Sequence, residues 1–368
     1  MPISSALGSS ALLPSGLGFR NTIINGAMQV AQRSTSTASI ATSAGAYNTV
    51  DRWKMWLSTA GTWTQTQSTD APVGFGYSLK MQCTTANASL SAGSYLFLQQ
   101  EIEGQNLQQF AKGTSSAKPM MLSFWVKTFQ TGVYAIELYD NTNSRHVTLP
   151  YTVNVSGTWE YKTVQIPSDA TGTFVNSNAS ALAVGFWFVA GTNYTSGTAN
   201  GLWGAEVTGK RAVGLNVNSA SSTNNYFQFT GVQLEQNYQP TPFEQRPIGV
   251  ELALCQRYYY RYYGNSGGYS RFPSTGASFS GTSWQGVLNV PVTMRAVPSL
   301  VESSGVGCTD NVSFDSAAFT SVSVLTSQSH INGVFIQCSG GSGINNGQGH
   351  ILIGRGGGSS FIALGAEL

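Results

Sequence analysis

Three histidines (His146, His330 and His350), 16 Asp and Glu residues and four cysteines are the groups in this chain that could do acid–base, covalent or metal chemistry. Covalent or acid–base catalysis needs a positioned nucleophile, a base and usually a histidine or paired carboxylates with shifted pKa values. No motif surrounds the histidines, and there is no Gly-x-Ser-x-Gly elbow. The closest acidic pairs, Glu101 with Glu103 and Asp310 with Asp315, have spacings that loops or one strand face produce by accident. A glycosidase needs two carboxyl groups flanking one bond, and here only the fold could bring such a pair together. The expectation is no catalytic residue. Cys83, Cys255, Cys308 and Cys338 match no zinc spacing and read as buried thiols, with a Cys308–Cys338 bridge as the open alternative. The glycines from Gly354 onward lack the Lys-Ser/Thr of a phosphate-binding loop and read as a turn.

The aromatic residues say more. Residues 258–263 read YYYRYY, so an extended backbone turns Tyr258, Tyr260 and Tyr262 one way and Tyr259, Arg261 and Tyr263 the other. Rings with a polar tip suit packing between subunits or sheets, or a sugar platform. Arg257, Tyr258, Tyr260, Arg261 and Tyr262 are therefore assigned to an oligomer interface, the arginines facing Glu251 or Glu244 across it, or solvent. Trp53, Trp125, Trp159, Trp187 and Trp203 lie in strand-like runs and are expected in the core. Trp284 differs, standing in a polar, serine-rich stretch downstream of Tyr269, Arg271 and Phe272.

The elements that must position these side chains are strands. Charged residues are 9% of the 368, against roughly 25% in an ordinary domain, while aromatics reach 11% and glycines number 42. That content is too apolar for a disordered chain. A net charge of +2 without a basic run gives no reason to choose nucleic acid as a partner. The longest apolar stretch, 181–191, is about half of what a membrane-spanning helix needs. No positive residue precedes the weak apolar N-terminal region, so a secretory signal is not expected. Strands are expected at 122–127, 134–139, 159–166, 182–189 and 226–234, with a bulge at Gly231 restoring Phe227, Phe229, Val232 and Leu234 to one face. A helix is expected from 247 to about 258, hinge-like, after the proline-containing stretch 239–246.

Three stretches occurring together resemble bacteriophage tail-fibre and virion-appendage proteins. They are 21–33 (NTIINGAMQVAQR) followed by 51–53 (DRW), 229–243 (FTGVQLEQNYQPTPF) and 251–260 (ELALCQRYYY). Residues 294–298 (MRAVP) look like the family's C-terminal M-R-x-x-P, and 366–368 (AEL) like its terminal tripeptide. The middle of the chain is similar to the carbohydrate-binding-module-like jelly roll of those fibres. No extended collagen-like, coiled-coil or β-helical shaft is evident, a departure from the long fibres. The expected architecture is all-β: a tether over 1–20, a jelly-roll sandwich over 21–246, and a smaller C-terminal β domain over 247–368, joined to the sandwich by the short helix.

The resemblance implies a homotrimeric structural protein of the virion, made in the host cytoplasm and carried on the tail. Its implied partners are its own copies, other tail proteins and host-surface glycan, without nucleic acid or membrane insertion. It also implies that the C-terminal part lies outermost, which makes Tyr269, Arg271 and Trp284 the candidate receptor contacts. Arg33, Asp51 and Arg52 belong to the resembling motif and are taken as structural ion-pair or interface residues. Sandwiches of this kind sometimes hold a calcium ion through loop oxygens, for which Asp51, Asp140 and Asn141 are the candidates; the expectation is no metal and no cofactor. The implied mechanism is weak, noncatalytic, multivalent binding. Its rivals are a polysaccharide depolymerase, a head-decorating protein without receptor affinity and a secreted lectin.

Overall fold

The computed structural model describes residues 19–264, 270–309, 316–355 and 360–368. Most of the expected tether lies outside the described residues, as do Tyr269, Asp310 and Asp315. Runs rich in β-branched and aromatic residues, closed by Gly, Ser and Asn turns, form antiparallel strands. In chain order the first are β1 (Ser36–Ile40), β2 (Ser43–Tyr47), β3 (Lys54–Ser58), β4 (Thr62–Ser68), β5 (Ser78–Thr85), β6 (Tyr95–Glu103), β7 (Met120–Thr128), β8 (Gly132–Asp140), β9 (Arg145–Val153), β10 (Glu160–Ile166), β11 (Ser180–Ala190), β12 (Gly204–Ala205) and β13 (Tyr226–Glu235). They build a six-stranded sheet ordered β1-β4-β5-β13-β7-β10 and a seven-stranded sheet ordered β12-β9-β8-β11-β6-β3-β2. Successive strands β6, β7 and β8 alternate between the two sheets, as do β9, β10 and β11, and this wrapping is the jelly roll.

The period of two in each strand separates core from surface. On β7, Leu122, Phe124 and Val126 point inward, while Ser123, Trp125 and Lys127 share the opposite face. Trp53, Trp63, Phe186, Phe188, Phe227 and Phe229 fill the space between the sheets, with Phe188 stacked on Phe227 at 4.7 Å. Each such ring stabilises the fold by about 1.5–3 kcal/mol through burial. The expectation for the tryptophans needs correction. Trp53 is in this core, but Trp125 and Trp159 are half-buried outside the six-stranded sheet, and Trp187 is buried on the outer side of the seven-stranded one. Trp125 has the parity of Lys127, and that pattern outweighs the apolar character of the run.

The bulge at Gly231 is present. Pairing of β13 with β7 shifts register between Thr230 and Gln233, Gly231 has φ 62°, and Phe227, Phe229, Val232 and Leu234 are all fully buried.

After β11 comes a short helix α1 (Thr192–Thr195), and after β13 the helix α2 (Ile248–Gln256). Pro247 stands just before α2, where a missing N–H costs nothing, and its carbonyl accepts from Val250 N and Glu251 N. The remaining strands are β14 (Tyr259–Tyr263), β15 (Ser270–Arg271), β16 (Ser274–Ser280), β17 (Ser283–Asn289), β18 (Ser299–Ser304), β19 (Val306–Thr309), β20 (Ser316–Ala318), β21 (Ser321–Val324), β22 (Gly333–Ser339), β23 (Ile351–Gly354) and β24 (Phe361–Gly365). They form three small sheets, β14-β24-β18, β15-β23-β19-β20 and β16-β17-β22-β21, around a second core that includes Trp284, Leu288, Met294, Ile336, Leu352 and Leu364. The four cysteines are buried thiols. Among the described residues no helix is long and apolar enough to cross a membrane.

Candidate functional site

The segments that carry the family resemblance meet between the sandwich and the C-terminal sheets. Asn25 takes the left-handed backbone of a turn (φ 57°), and its amide donates to Val30 O at 2.8 Å and Asp51 O at 3.0 Å. Asp51 accepts from Gln32 N at 3.0 Å and Gln32 Nε2 at 2.5 Å, with Arg33 at 3.6 Å. Burial pushes its carboxyl up to about 6 in spite of Arg33 and the Gln32 bonds. Arg33 pairs with Glu367 at 2.7 Å and lies 3.7 Å from the Tyr259 ring centre. Arg52, 1% exposed, pairs with the same carboxylate and sits 3.5 Å over Tyr258. Arg257 forks onto Glu103 at 2.8 and 2.9 Å, and Tyr258 Oη donates to Glu103 at 2.5 Å. Burial alone would raise Glu103; the Arg257 and Tyr258 bonds outweigh it and hold the carboxyl below its ordinary value. Arg295, of the MRAVP stretch, closes the joint by donating to Ala366 O and Glu367 O, both at 2.8 Å.

This geometry corrects the interface expectation for Tyr258 and Tyr262, and gives Arg257, Tyr260 and Arg261, which stay partly exposed, contacts within the chain. Tyr258 and Tyr262 are buried within one chain, at 1% and 5% exposure, so they have no surface to offer a neighbouring subunit. Tyr260 packs edge-on against Tyr262 at 4.4 Å beside the second core. Arg257 is held by Glu103, and Arg261 by Glu302 at 3.1 Å; Glu244 and Glu251 instead hold Arg246, at 3.5 and 3.4 Å. The rings do pack between sheets, but those sheets belong to the same chain.

The candidate receptor contacts are not brought together. Tyr269 lies outside the described residues, and Arg271 is exposed on β15. Trp284 is fully buried, its Nε1 donating to His350 O at 3.0 Å, so its assignment as a surface contact is corrected. The sequence held the signal. Trp284 and Leu288 share one parity of β17, and Gly276 and Gly286 leave room for the indole: a Cβ at Gly286 would come 2.6 Å from its Cη2.

Of the carboxylates singled out by spacing, Asp310 and Asp315 lie outside the described residues, and Glu101 and Glu103 are both engaged. Glu101 binds Lys54 at 2.8 Å, while Glu103 belongs to the joint. Asp140, a candidate calcium ligand, holds the Lys112 ammonium at 2.6 Å, and Asp169 Oδ2, Thr171 O and Gly172 O surround that ammonium at 3.1, 3.0 and 2.9 Å. Asp51 lies in the joint, and Asn141 Nδ2 donates to Ser180 Oγ at 2.7 Å, so the three oxygen donors do not share a site. Among the described residues no group of three or more His, Cys, Asp or Glu could hold a metal ion.

Sequence reading missed the outer face of the seven-stranded sheet. There Phe97 and Trp187 stack at 4.1 Å, flanked by Trp56, Tyr95 and Tyr194. The connection from β11 to β13 roofs this strip: Ala212 packs on it, and the Arg211 guanidinium lies 5.4 Å from the Trp187 ring centre. Arg211 Nε and Nη2 bind Glu137 at 2.9 and 3.0 Å, and Trp187 Nε1 donates to the same carboxylate at 3.1 Å. Glu137 is thereby fully engaged, and Phe97 and Trp187 are covered, while Trp56, Tyr95 and Tyr194 at the edges stay partly exposed. At the strip's margin a cavity of about 40 Å³ is lined by His146, Thr148, Asn200 and Lys210. The outward parity of Glu137 was readable; its arginine, 74 residues further on, was not.

No family model matches the sequence, and no curated protein matches it. Among solved structures, the enzymatically active domain of tailspike protein 4 of bacteriophage CBA120 aligns at 12% identity and TM-score 0.29 over 59% of this chain and 22% of its own. A CBM4 structure aligns at 12% identity and TM-score 0.30, over 58% and 98%. The family 11 carbohydrate-binding module of a Clostridium thermocellum cellulosomal cellulase aligns at 8% identity and TM-score 0.29, over 56% and 100%. At such scores these likenesses carry no functional inference, which the side chains of this protein must supply.

Proposed function

We propose that this protein is a noncatalytic structural component of a bacteriophage particle, carried on the tail, that holds host-surface glycan weakly and gains avidity from a trimer and from several copies per particle. The observation that carries this reading is the joint itself. Arg33, Arg52, Arg257, Arg295 and Glu367, each from a stretch that resembles one family, meet there with Glu103 in ion pairs and hydrogen bonds, which supports a resemblance that goes beyond composition. Cations and hydrogen-bond donors already satisfy Glu103, Glu137, Asp140 and Asp169, which favours binding over hydrolysis. The net charge of +2 favours an uncharged partner over nucleic acid.

The test is competition. Purified protein should block adsorption of the phage that carries it, gold-labelled antibody should mark the tails, and the mass in solution should be three times that of the chain. Labelled heads without competition, or new reducing ends released from host polysaccharide, would overturn the reading.

A further inference from the structure

The outer face of the six-stranded sheet is built differently from the roofed strip on the other sheet. Trp125 on β7 stands opposite Tyr161 on the edge strand β10, their ring centres 5.4 Å apart, and Trp159 precedes Tyr161 by two residues. Tyr161 is 43% exposed, and both tryptophans are half-buried. The indole of Trp159 is tethered, its Nε1 donating to Asp70 Oδ1 at 3.2 Å, while Lys127 Nζ binds Asp70 Oδ2 at 2.8 Å. Beneath Trp125 lies Gly231, where a Cβ would come within 3.2 Å of the indole. The bulge glycine therefore also makes room for the ring.

We infer that this face is a saccharide-stacking platform that takes a neutral hexose chain across Trp159, Tyr161 and Trp125. The inference rests on the glycan-binding reading above and adds where on the molecule the sugar lies and which class it belongs to. The polar edge of Trp159 is satisfied inside the protein, so its ring can be covered without orphaning a donor. Because that indole is already held, little freedom is lost on binding. Beside the three rings Lys127 is neutralised by Asp70, and Lys80, two strands away, lies against the Tyr226 ring at 4.9 Å, so an anionic ligand finds little to pair with next to the platform. Further along β10, Thr163 and Gln165 are exposed, and within the described residues their hydroxyl and amide make no bond, leaving them free for sugar hydroxyls.

The experiment uses the full chain with soluble mannan, galactan and β-glucan as probes in affinity electrophoresis, and sedimentation velocity alongside. The variants are Trp159→Ala with Tyr161→Ala, Tyr161→Ala alone, and Trp56→Ala on the opposite sheet as control. Wild type and Trp56→Ala should be retarded equally and the double variant at least about tenfold less, with Tyr161→Ala between them. Equal retardation of wild type and both platform variants overturns this location and leaves the glycan reading standing. If no neutral polysaccharide retards the wild type although it still blocks phage adsorption, the sugar class is overturned; if it does neither, both readings fall. A platform variant that sediments as a smaller species shows the face to be a contact between copies, which also overturns the inference.

Discussion

Lys112 offers the sharpest test of how the sandwich is held together. Its side chain is 2% exposed, and the ammonium lies among Asp140 Oδ2, Asp169 Oδ2, Thr171 O and Gly172 O. Replacing it by methionine keeps most of the apolar stem and removes the charge. Asp169 retains Arg145 at 2.9 Å, so Asp140, fully buried, is the carboxylate left without a cation. Orphaning one member of a buried pair costs about 3–5 kcal/mol. Spread over a domain of this size, at about 2–4 °C per kcal/mol, that lowers the unfolding midpoint by about 6–20 °C. The assay is calorimetry or chemical denaturation of Lys112→Met, Asp140→Asn and the double variant. The double variant should recover part of the loss, with a coupling of about 1–3 kcal/mol. A Lys112→Met midpoint within about 2 °C of wild type, or strictly additive losses, would refute the reasoning, because the cage would then be satisfied by water.

Other predictions follow from the same reading of contacts. Lys112→Ala leaves hard oxygen donors around a vacated space, so millimolar calcium should raise its midpoint while leaving wild type unchanged; equal shifts in both proteins would count against the cage. Gly231→Ala forces a Cβ to 2.7 Å from Phe75 at φ 62° and should cost about 1–3 kcal/mol, measured by denaturation. Trp284→Ala should cost about 3–5 kcal/mol and expose apolar surface that binds a fluorescent dye. Asp51 has its folded pKa raised to about 6 from 3.8, so its contribution is favourable below 3.8 and is lost as pH rises through 6. The stability of Asp51→Asn relative to wild type should therefore improve by up to about 3 kcal/mol between pH 4 and pH 7.5. A decline over that range would mean that Arg33 dominates the site.

What could be read from the chain was local. The strands around Phe124, Phe186 and Phe227, the helix after Pro247 and the bulge at Gly231 all follow from period, parity and one glycine. What could not be read was partnership over distance. Arg257 meets Glu103 across 154 residues, and nothing near either marks the other. Trp284 shows a different failure: serine-rich surroundings suggested a surface residue, whereas the glycines on its own strand and its neighbour were making space for the ring. Trp125 and Trp159 erred in the opposite direction, since aromatic enrichment suggested core and parity placed both on the outside.

The joint has an evolutionary corollary. Its arginines and acids are dealt out alternately: Arg33, Arg52 and Glu103 precede the helix, whereas Arg257, Arg295 and Glu367 follow it. A genetic crossover at the linker that imported only the distal half from a divergent relative would set unmatched charges against each other in a dry seam. Viable mosaics are those whose two parents keep the same interdigitated charges, and cutting and grafting such chains in the laboratory should obey the same restriction.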